Sequence, residues 1–233
     1  MAKRVASRGP GRIVPAVYAR GHLDPDPPFE RGLSAHLLRA YEPPALAELY
    51  VRFRDGEGVL DALMRRGIWR ALARRFGDGV TVRPGAGFRH PETTAIGDGV
   101  YIGDGALVHG RVGGRCRIGA RTWIGPGCFL DARDLVIGAG VGLGPGVRII
   151  GSAHTAEPAG VAVIATDLRI APVRIGEGSD IGAGTVILPG VRIGRHSIVG
   201  AGAVVATDIS AYAVAAGVPA RVIRRRKQAG RSE

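Results

Sequence analysis

The sequence predicts an all-β fold, a parallel β-helix, with a small helical region in front of it. From about Val80 onward aliphatic residues recur every six positions within groups of three, with insertions between groups, and a second, mostly small series lies two positions before them. The composition agrees, because the chain has 38 glycines but only 5% aromatic residues. Many tight turns are therefore expected, and a core built around Phe and Trp is not.

The aliphatic series defines the coils of the predicted β-helix. Residues two apart share one side of a strand, so each aliphatic residue and its partner should both point inward. Three short strands then close a coil of 18 residues, and stacking of neighbouring coils supplies the core. The aliphatic positions are Ile96, Ile102, Val108, Ile118, Ile124, Leu130, Ile137, Leu143, Ile149, Ile175, Ile181, Ile187, Ile193, Val199 and Val205.

The partner series is small throughout, except for Leu135. Cys116 and Cys128 belong to it and fall on different faces, so they are predicted to be core residues and not a disulfide or a metal pair. Glycine usually follows the aliphatic residue, where we expect a tight turn with positive φ. The remaining partners are Thr94, Val100, Ala106, Thr122, Val141, Val147, Val173, Ser179, Thr185, Val191, Ser197 and Ala203.

The first 78 residues have a different pattern. Residues 1–40 show no sustained periodicity and are predicted to be an arm or a loosely packed lead-in. Between Pro44 and Phe76 apolar residues recur at helical spacing, and Asp55–Gly58 divides them into two helices. The arginines of the second helix are expected to form a solvated face. These are Arg65, Arg66, Arg70, Arg74 and Arg75.

Charge and hydropathy limit the possible partners. No apolar run is long enough to cross a membrane, and Met1–Pro15 lacks the apolar core of a secretory signal, so a cytoplasmic protein without a membrane partner is expected. The net charge of +12 favours anionic ligands. Arg224–Lys227 has no aromatic platform beside it and is predicted to be a solvated tail, so no nucleic-acid partner is expected.

Three segments resemble the hexapeptide-repeat acyltransferases, most of all the galactoside and maltose O-acetyltransferase type. They are Ile181–Ile193 (IGAGTVILPGVRI), Val199–Val205 (VGAGAVV) and Ala216–Arg224 (AGVPARVIR). The resemblance implies a left-handed β-helix, a homotrimer with active sites between subunits, and acetyl coenzyme A as co-substrate, with no metal. The domains are then residues 1–78 (arm and helices), 79–224 (acyltransferase β-helix with a loop inserted at 151–172) and 225–233 (basic tail).

One corner of the predicted coil differs from the other two. Glycine always follows the aliphatic residue on the first two faces and never on the third. The insertion 151–172 leaves the β-helix from this same corner, which suggests that the working groove lies there. The residues that replace glycine are His109, Asp131, Ile150, Leu188 and Ala206.

The candidate catalytic residue is His154, which lies where related acetyltransferases carry their catalytic histidine. Acyl transfer to a hydroxyl or amine needs a base, and imidazole titrates near neutral pH. Glu157 either orients this imidazole or is a solvated loop carboxylate. Asp131 and, less directly, His109 are candidates for acceptor binding, although a carboxylate in a turn can also cap its own backbone. Trp123 points outward and either stacks on a sugar ring or fills a subunit interface.

The resemblance also implies coenzyme A contacts. The backbone amide of Ala183 would donate to the developing oxyanion, and Arg221 and Arg224 would lie near the coenzyme phosphates. Ala201, Ala206 and Thr207 would line the pantetheine and nucleotide. Many family members have lysine in place of Thr207, so this chain departs from the family pattern there.

These observations predict an acyltransferase that moves acetyl from acetyl coenzyme A to a hydroxyl or amine. The expected acceptor is a sugar, a nucleotide-linked sugar or an antibiotic-like compound. The alternative is a non-catalytic β-helix scaffold, which would need neither the loop histidine nor the Arg221 and Arg224 pair. A zinc-dependent hydratase on the same fold needs histidines close in sequence, and those of this chain are dispersed.

Overall fold

The computed structural model describes residues 14–16 and 21–226. The predicted basic tail beyond Arg226, and most of the first twenty residues of the predicted arm, lie outside this part. The described residues form three α-helices, followed by a parallel β-helix of three sheets. None of these helices is long and apolar enough to span a membrane.

The helices are α1 (Pro28–Ala40), α2 (Pro43–Phe53) and α3 (Val59–Leu72). Proline occupies the first turn of α1 and α2, where its missing N–H costs no hydrogen bond. At the start of α3 the Asp61 carboxylate accepts the Gly58 N–H at 3.0 Å. Helices α2 and α3 confirm the two predicted segments. The prediction that residues 1–40 form an arm or a loosely packed lead-in was wrong in part, because they contain α1. This helix buries only Ser34 and Leu37, so its sequence shows little periodicity.

Strands are numbered in chain order, and each of the three main sheets takes one strand from every coil. The first sheet contains β1 (Arg75–Phe76), β4 (Thr94–Ile96), β7 (Arg115–Ile118), β10 (Asp134–Ile137), β15 (Val173–Ile175) and β18 (Arg192–Ile193). The second contains β2 (Thr81–Val82), β5 (Tyr101–Ile102), β8 (Trp123–Ile124), β11 (Gly142–Leu143), β16 (Asp180–Ile181), β19 (Ile198–Val199), β21 (Ala213–Ala216) and β22 (Arg221–Arg225). The third contains β3 (Gly87–Arg89), β6 (Leu107–His109), β9 (Phe129–Asp131), β12 (Arg148–Ile149), β17 (Val186–Ile187) and β20 (Val204–Val205).

Neighbouring strands are parallel throughout these sheets, apart from β22, which returns antiparallel to β21. Six strands in the first and third sheets make six coils, and Ile209 with β21 starts a seventh. A separate antiparallel pair, β13 (Ser152–His154) and β14 (Leu168–Ile170), is formed by the insertion. Two short 3₁₀ turns occur at Pro91–Thr93 and Val163–Ala165.

The two inward series are confirmed. Every predicted aliphatic residue and every partner, Leu135 included, is at most 2% exposed. Cys116 and Cys128 are free and buried, as predicted. Burial raises the pKa of the Cys116 thiol to about 12 and also raises that of Cys128, so both stay protonated at neutral pH.

The role of the corner glycines differs from the prediction. The glycine that follows the aliphatic residue does not have positive φ, which occurs two residues later, for example +67° at Gly184 after Gly182. A Cβ on Gly182 would instead lie 2.4 Å from the backbone nitrogen of Ala201 in the next coil. Glycine is needed at this position because successive coils approach too closely for any side chain.

Arginines of α3 join the helical region to the first coil. The buried guanidinium of Arg65 donates to the carbonyls of Val82 (3.1 Å), Phe53 (2.8 Å) and Gly56 (2.5 Å). Arg66 and Arg70 both bind the buried Asp26 carboxylate. The prediction of a solvated arginine face was therefore wrong for these three residues, because their side chains bind groups outside the helix. Arg74 and Arg75 are exposed as predicted, but they follow the helix, which ends at Leu72.

Candidate active site

The third corner connects the end of the third sheet to the start of the first. Parallel pairing of β3, β6 and β9 aligns Arg89, His109 and Asp131 in one column at this corner. The insertion leaves from the same corner one coil later, between β12 and β15. Polar side chains and the longest excursion of the described chain therefore meet at one edge of the β-helix.

Asp131 lies at the root of the insertion and is 9% exposed. Its carboxylate accepts the Gly151 N–H at 3.1 Å and lies 3.4 Å from the Ser152 hydroxyl. Arg133 donates from Nε to both carboxylate oxygens, at 2.9 and 3.2 Å. These contacts fix the first two residues of the insertion, and no sequence pattern indicated that Arg133 takes part.

The insertion is ordered by its own hairpin. Strand β13 pairs with β14 so that His154 lies opposite Leu168. The pairing continues past the strands, where the Thr155 N–H donates to the Asp167 carbonyl at 2.8 Å. The Thr166 hydroxyl donates to the Val163 carbonyl at 2.7 Å and accepts the Ala156 N–H at 3.2 Å.

His154 is half-buried in this hairpin. Its Nδ1 lies 3.0 Å from the Thr166 carbonyl oxygen. A carbonyl can only accept, so Nδ1 carries the proton and Nε2 keeps its lone pair. The orienting group is a backbone carbonyl, which any residue provides, so sequence reasoning had no means of identifying Thr166.

Glu157 is exposed three residues after His154. It lines an open groove of about 620 Å³ with Thr155, Pro158 and Asp167. It was predicted to orient the His154 imidazole, and Nδ1 of that ring is bonded to the Thr166 carbonyl. An orienting role for Glu157 stays a prediction.

His109 and Trp123, two of the predicted acceptor contacts, pack against aromatic neighbours. His109 meets the Phe129 ring edge-on at 5.9 Å, and burial, followed by the positive charge of Arg89, lowers its pKa. Trp123 is half-buried on the outside of the second sheet and stacks on Tyr101 at 5.8 Å. They therefore lie on different faces of the β-helix.

The residues expected to contact coenzyme A divide between two corners. Ala183 and Ala201 lie at the corner between the second and third sheets, on adjacent coils joined by the Gly202 N–H to the Ala183 carbonyl. Arg221 and Arg224 are exposed on β22 at the end of the second sheet. Ala206 and Thr207 follow β20 at the third corner, the corner of His154.

Metal-dependent catalysis and a cysteine nucleophile find little support among the described residues. No group of three His, Cys, Asp or Glu side chains is close enough there to hold a metal ion. The two cysteines face the core and remain thiols, so neither is available as a nucleophile. The His154 imidazole remains the predicted base, with its Nδ1 held by the Thr166 carbonyl.

Comparison with known proteins identifies the family. The family of bacterial hexapeptide transferases (six repeats) matches residues 171–207. Nodulation protein L of Rhizobium meliloti (strain 1021) is 42% identical over 127 residues, which are 52% of this chain and 68% of that protein. The chain belongs to the hexapeptide-repeat acyltransferases.

Solved structures of this acyltransferase family share the fold. Galactoside acetyltransferase in complex with coenzyme A is 27% identical, with a TM-score of 0.54 over 83% of this chain and 82% of that chain. A maltose O-acetyltransferase from Clostridium difficile 630 is 26% identical, with a TM-score of 0.55 over 82% and 89%. These matches confirm the predicted resemblance to the galactoside and maltose type of acyltransferase.

Proposed function

We propose that this acyltransferase moves an acetyl group from acetyl coenzyme A to a hydroxyl or amine of a small acceptor, with His154 as general base. The observation that carries the proposal is the bond from His154 Nδ1 to the Thr166 carbonyl. It leaves the Nε2 lone pair to take the acceptor's proton as its oxygen or nitrogen attacks the thioester carbon.

The attack forms a tetrahedral intermediate whose oxygen carries negative charge. Its collapse breaks the carbon–sulfur bond, and the leaving thiolate takes the proton from the imidazolium, which returns His154 to its neutral form. The Thr166 carbonyl accepts from Nδ1 throughout and stabilises the charged ring. The Ala183 amide is our candidate oxyanion donor, since no described residue accepts from it.

The separation of the two corners supports a site made by two chains. In one chain, the third sheet lies between the corner of His154 and the corner of Ala183. A neighbouring subunit in a homotrimer would bring one of each together. The insertion also exposes apolar side chains, with Ile164 81% and Val163 55% exposed, which a subunit contact would cover.

The donor assignment rests on the family relationship and on charge. Galactoside acetyltransferase, which shares 27% of its residues with this chain, is known in complex with coenzyme A. Arg221 and Arg224 are exposed, and neither has a carboxylate within salt-bridge distance among the described residues. Both guanidinium groups are thus available for the coenzyme phosphates.

For the acceptor we propose a sugar, a nucleotide-linked sugar or an antibiotic-like amine or alcohol. Asp131 is occupied by Arg133, Gly151 and Ser152, which favours a role in holding the insertion over direct acceptor binding. Glu157 borders the open groove next to His154 and is the more accessible carboxylate.

The test is His154→Ala, assayed by thiol release from acetyl coenzyme A with a panel of acceptors. We expect kcat to fall by roughly 10²–10⁴, the usual contribution of a positioned base. The dissociation constant of acetyl coenzyme A should stay unchanged, because His154 is not among the residues proposed to hold it.

The matched control is His36→Ala, which removes an exposed imidazole from α1. It should leave kcat at the wild-type value. Full turnover of His154→Ala with the best acceptor would refute base catalysis by this residue. An altered oligomeric state of that variant would instead favour the scaffold alternative.

A further inference from the structure

A groove with a strong positive charge runs along the outside of the first sheet. We call it the arginine groove and define it by the exposed residues Arg74, Arg75, Arg111, Arg115 and Arg117. It consists of two depressions of about 560 and 700 Å³, and Arg74 and Arg115 line both. The proposed reaction as described above uses none of these five residues.

The arginines of the groove differ from most others in the described chain because they have no partners. Elsewhere Arg31, Arg83 and Arg174 pair with Asp78, Asp104 and Asp134. No hydrogen bond or salt bridge joins the side chain of any of the five groove arginines to another described residue. Five guanidinium groups that repel one another in a shared groove form a site for an anion.

The carboxylates that line the groove are already engaged. Asp98 accepts the Asp78 N–H at 3.0 Å. Asp134 lies 2.7 Å from Arg174. Asp134 is thus matched by Arg174, and Asp98 offsets only one of the five positive charges, so an anionic ligand remains the missing partner.

The shape of the groove suits a phosphate. Arg75 and Arg117 both pair with Ala95 across the sheet, so the two arginines flank a small residue. Two strand spacings place their backbones about 10 Å apart, which lets two long side chains converge above Ala95. Guanidinium groups bind phosphate oxygens through paired, charge-assisted hydrogen bonds.

The groove also adjoins the proposed catalytic hairpin. Arg133, which holds Asp131, lines one depression together with Ile170 of β14. Ile170 lies opposite Ser152, two residues before His154 in β13. Ser152 and His154 are about 7 Å apart along the strand, so the end of the depression lined by Ile170 lies near His154.

We propose that the acceptor carries a phosphate or pyrophosphate group, which binds in the arginine groove and presents the hydroxyl or amine to His154. This inference rests on the proposed acyl transfer and narrows its acceptor to anionic small molecules. The anion site itself stands on the unpaired arginines and can be tested without any turnover.

The binding test uses inorganic pyrophosphate as probe, titrated by calorimetry into wild type and into the double variant Arg115→Gln plus Arg117→Gln, each saturated with coenzyme A so that Arg221 and Arg224 are occupied. Both substituted side chains are exposed, so the variant should fold normally. We expect affinity to fall at least tenfold, and the difference from wild type to shrink as salt is raised. The control, Arg39→Gln plus Arg52→Gln on the outer surfaces of α1 and α2, removes the same charge and should bind like wild type.

The kinetic test compares a neutral sugar with its phosphorylated form, each assayed by thiol release. The groove variant should raise KM at least tenfold for the phosphorylated acceptor and leave both constants for the neutral sugar unchanged. Equal pyrophosphate affinity in wild type and the groove variant would overturn the anion site. Tighter binding of a single-stranded oligonucleotide than of pyrophosphate, lost in the same variant, would overturn the small-molecule assignment in favour of nucleic acid.

The outcomes also separate this inference from the proposed function. If pyrophosphate binds through the groove but His154→Ala retains full turnover, base catalysis fails and the anion site stands. If His154→Ala loses turnover while the groove variant has wild-type kcat and KM for both acceptors, the proposed acyl transfer stands and the phosphorylated acceptor is refuted.

Discussion

The corners of the β-helix differ in what their backbone permits. At the first two corners, successive coils approach so closely that a Cβ on Gly119 would lie 2.4 Å from the Ala139 nitrogen. At the third corner, side chains replace glycine and a hairpin of the insertion extends outward. The comparison teaches that close stacking excludes side chains from the glycine positions of the first two corners, where the proposed functional group is a backbone amide, that of Ala183. Functional side chains and insertions are left to the third corner.

The largest effect on stability should come from adding one methyl group at a closed corner. Gly119→Ala should lower the free energy of unfolding by about 3 kcal/mol, because the clash is with backbone that cannot rotate away. Denaturant unfolding measures this loss. The matched control is Gly32→Ala in α1, where a Cβ meets nothing within 4 Å, and there alanine should be neutral or stabilising. Equal stability of both variants would contradict the account of the closed corners.

At the open corner, Asp131→Asn should affect turnover more than stability. It weakens the hold on Gly151 and Ser152, so the hairpin that carries His154 loses its fixed position. We expect kcat to fall by roughly 10- to 100-fold, a cost typical of a misplaced catalytic group. The KM for acetyl coenzyme A should stay unchanged. Hydrogen exchange across 151–172 should become faster in the variant, and unchanged exchange combined with lost activity would show that Asp131 acts in some other way.

The smallest effect concerns His109 in the same column. Burial lowers its pKa below the ordinary value of 6.5, so the folded protein binds this proton less readily than the unfolded chain. Its contribution to stability is therefore fully present above pH 6.5 and is lost as the pH falls through the lowered folded value. Unfolding of wild type and His109→Gln at pH 8 and pH 5.5 measures this difference.

Wild type should lose more stability on acidification than the His109→Gln variant, because only wild type has the His109 imidazole, which must become protonated at low pH. All other titrating groups are shared and cancel in the comparison. Parallel losses in the two proteins would mean that the environment of His109 does not resist protonation.

The two arginine sets show where sequence reasoning stops. Arg65, which is buried and bonded to backbone carbonyls, and Arg74, which is exposed in the arginine groove, were both predicted to lie on one solvated helix face. Nine residues of helix are about two and a half turns, so the two positions lie on opposite sides. The structure buries Arg65 where α3 packs against the first coil and ends the helix at Leu72, before Arg74.

The sequence by itself determined the two inward-facing series of residues, the two glycine corners and the third corner from which the insertion leaves. These follow from a short repeat, and each position is decided by neighbours one strand or one coil away. The tertiary structure alone decided which nitrogen of His154 is free, what holds the root of the insertion, and which arginines remain unpaired. Those properties depend on backbone carbonyls and on contacts between distant segments, and such groups are the same for every residue type, so they leave no signature in the sequence.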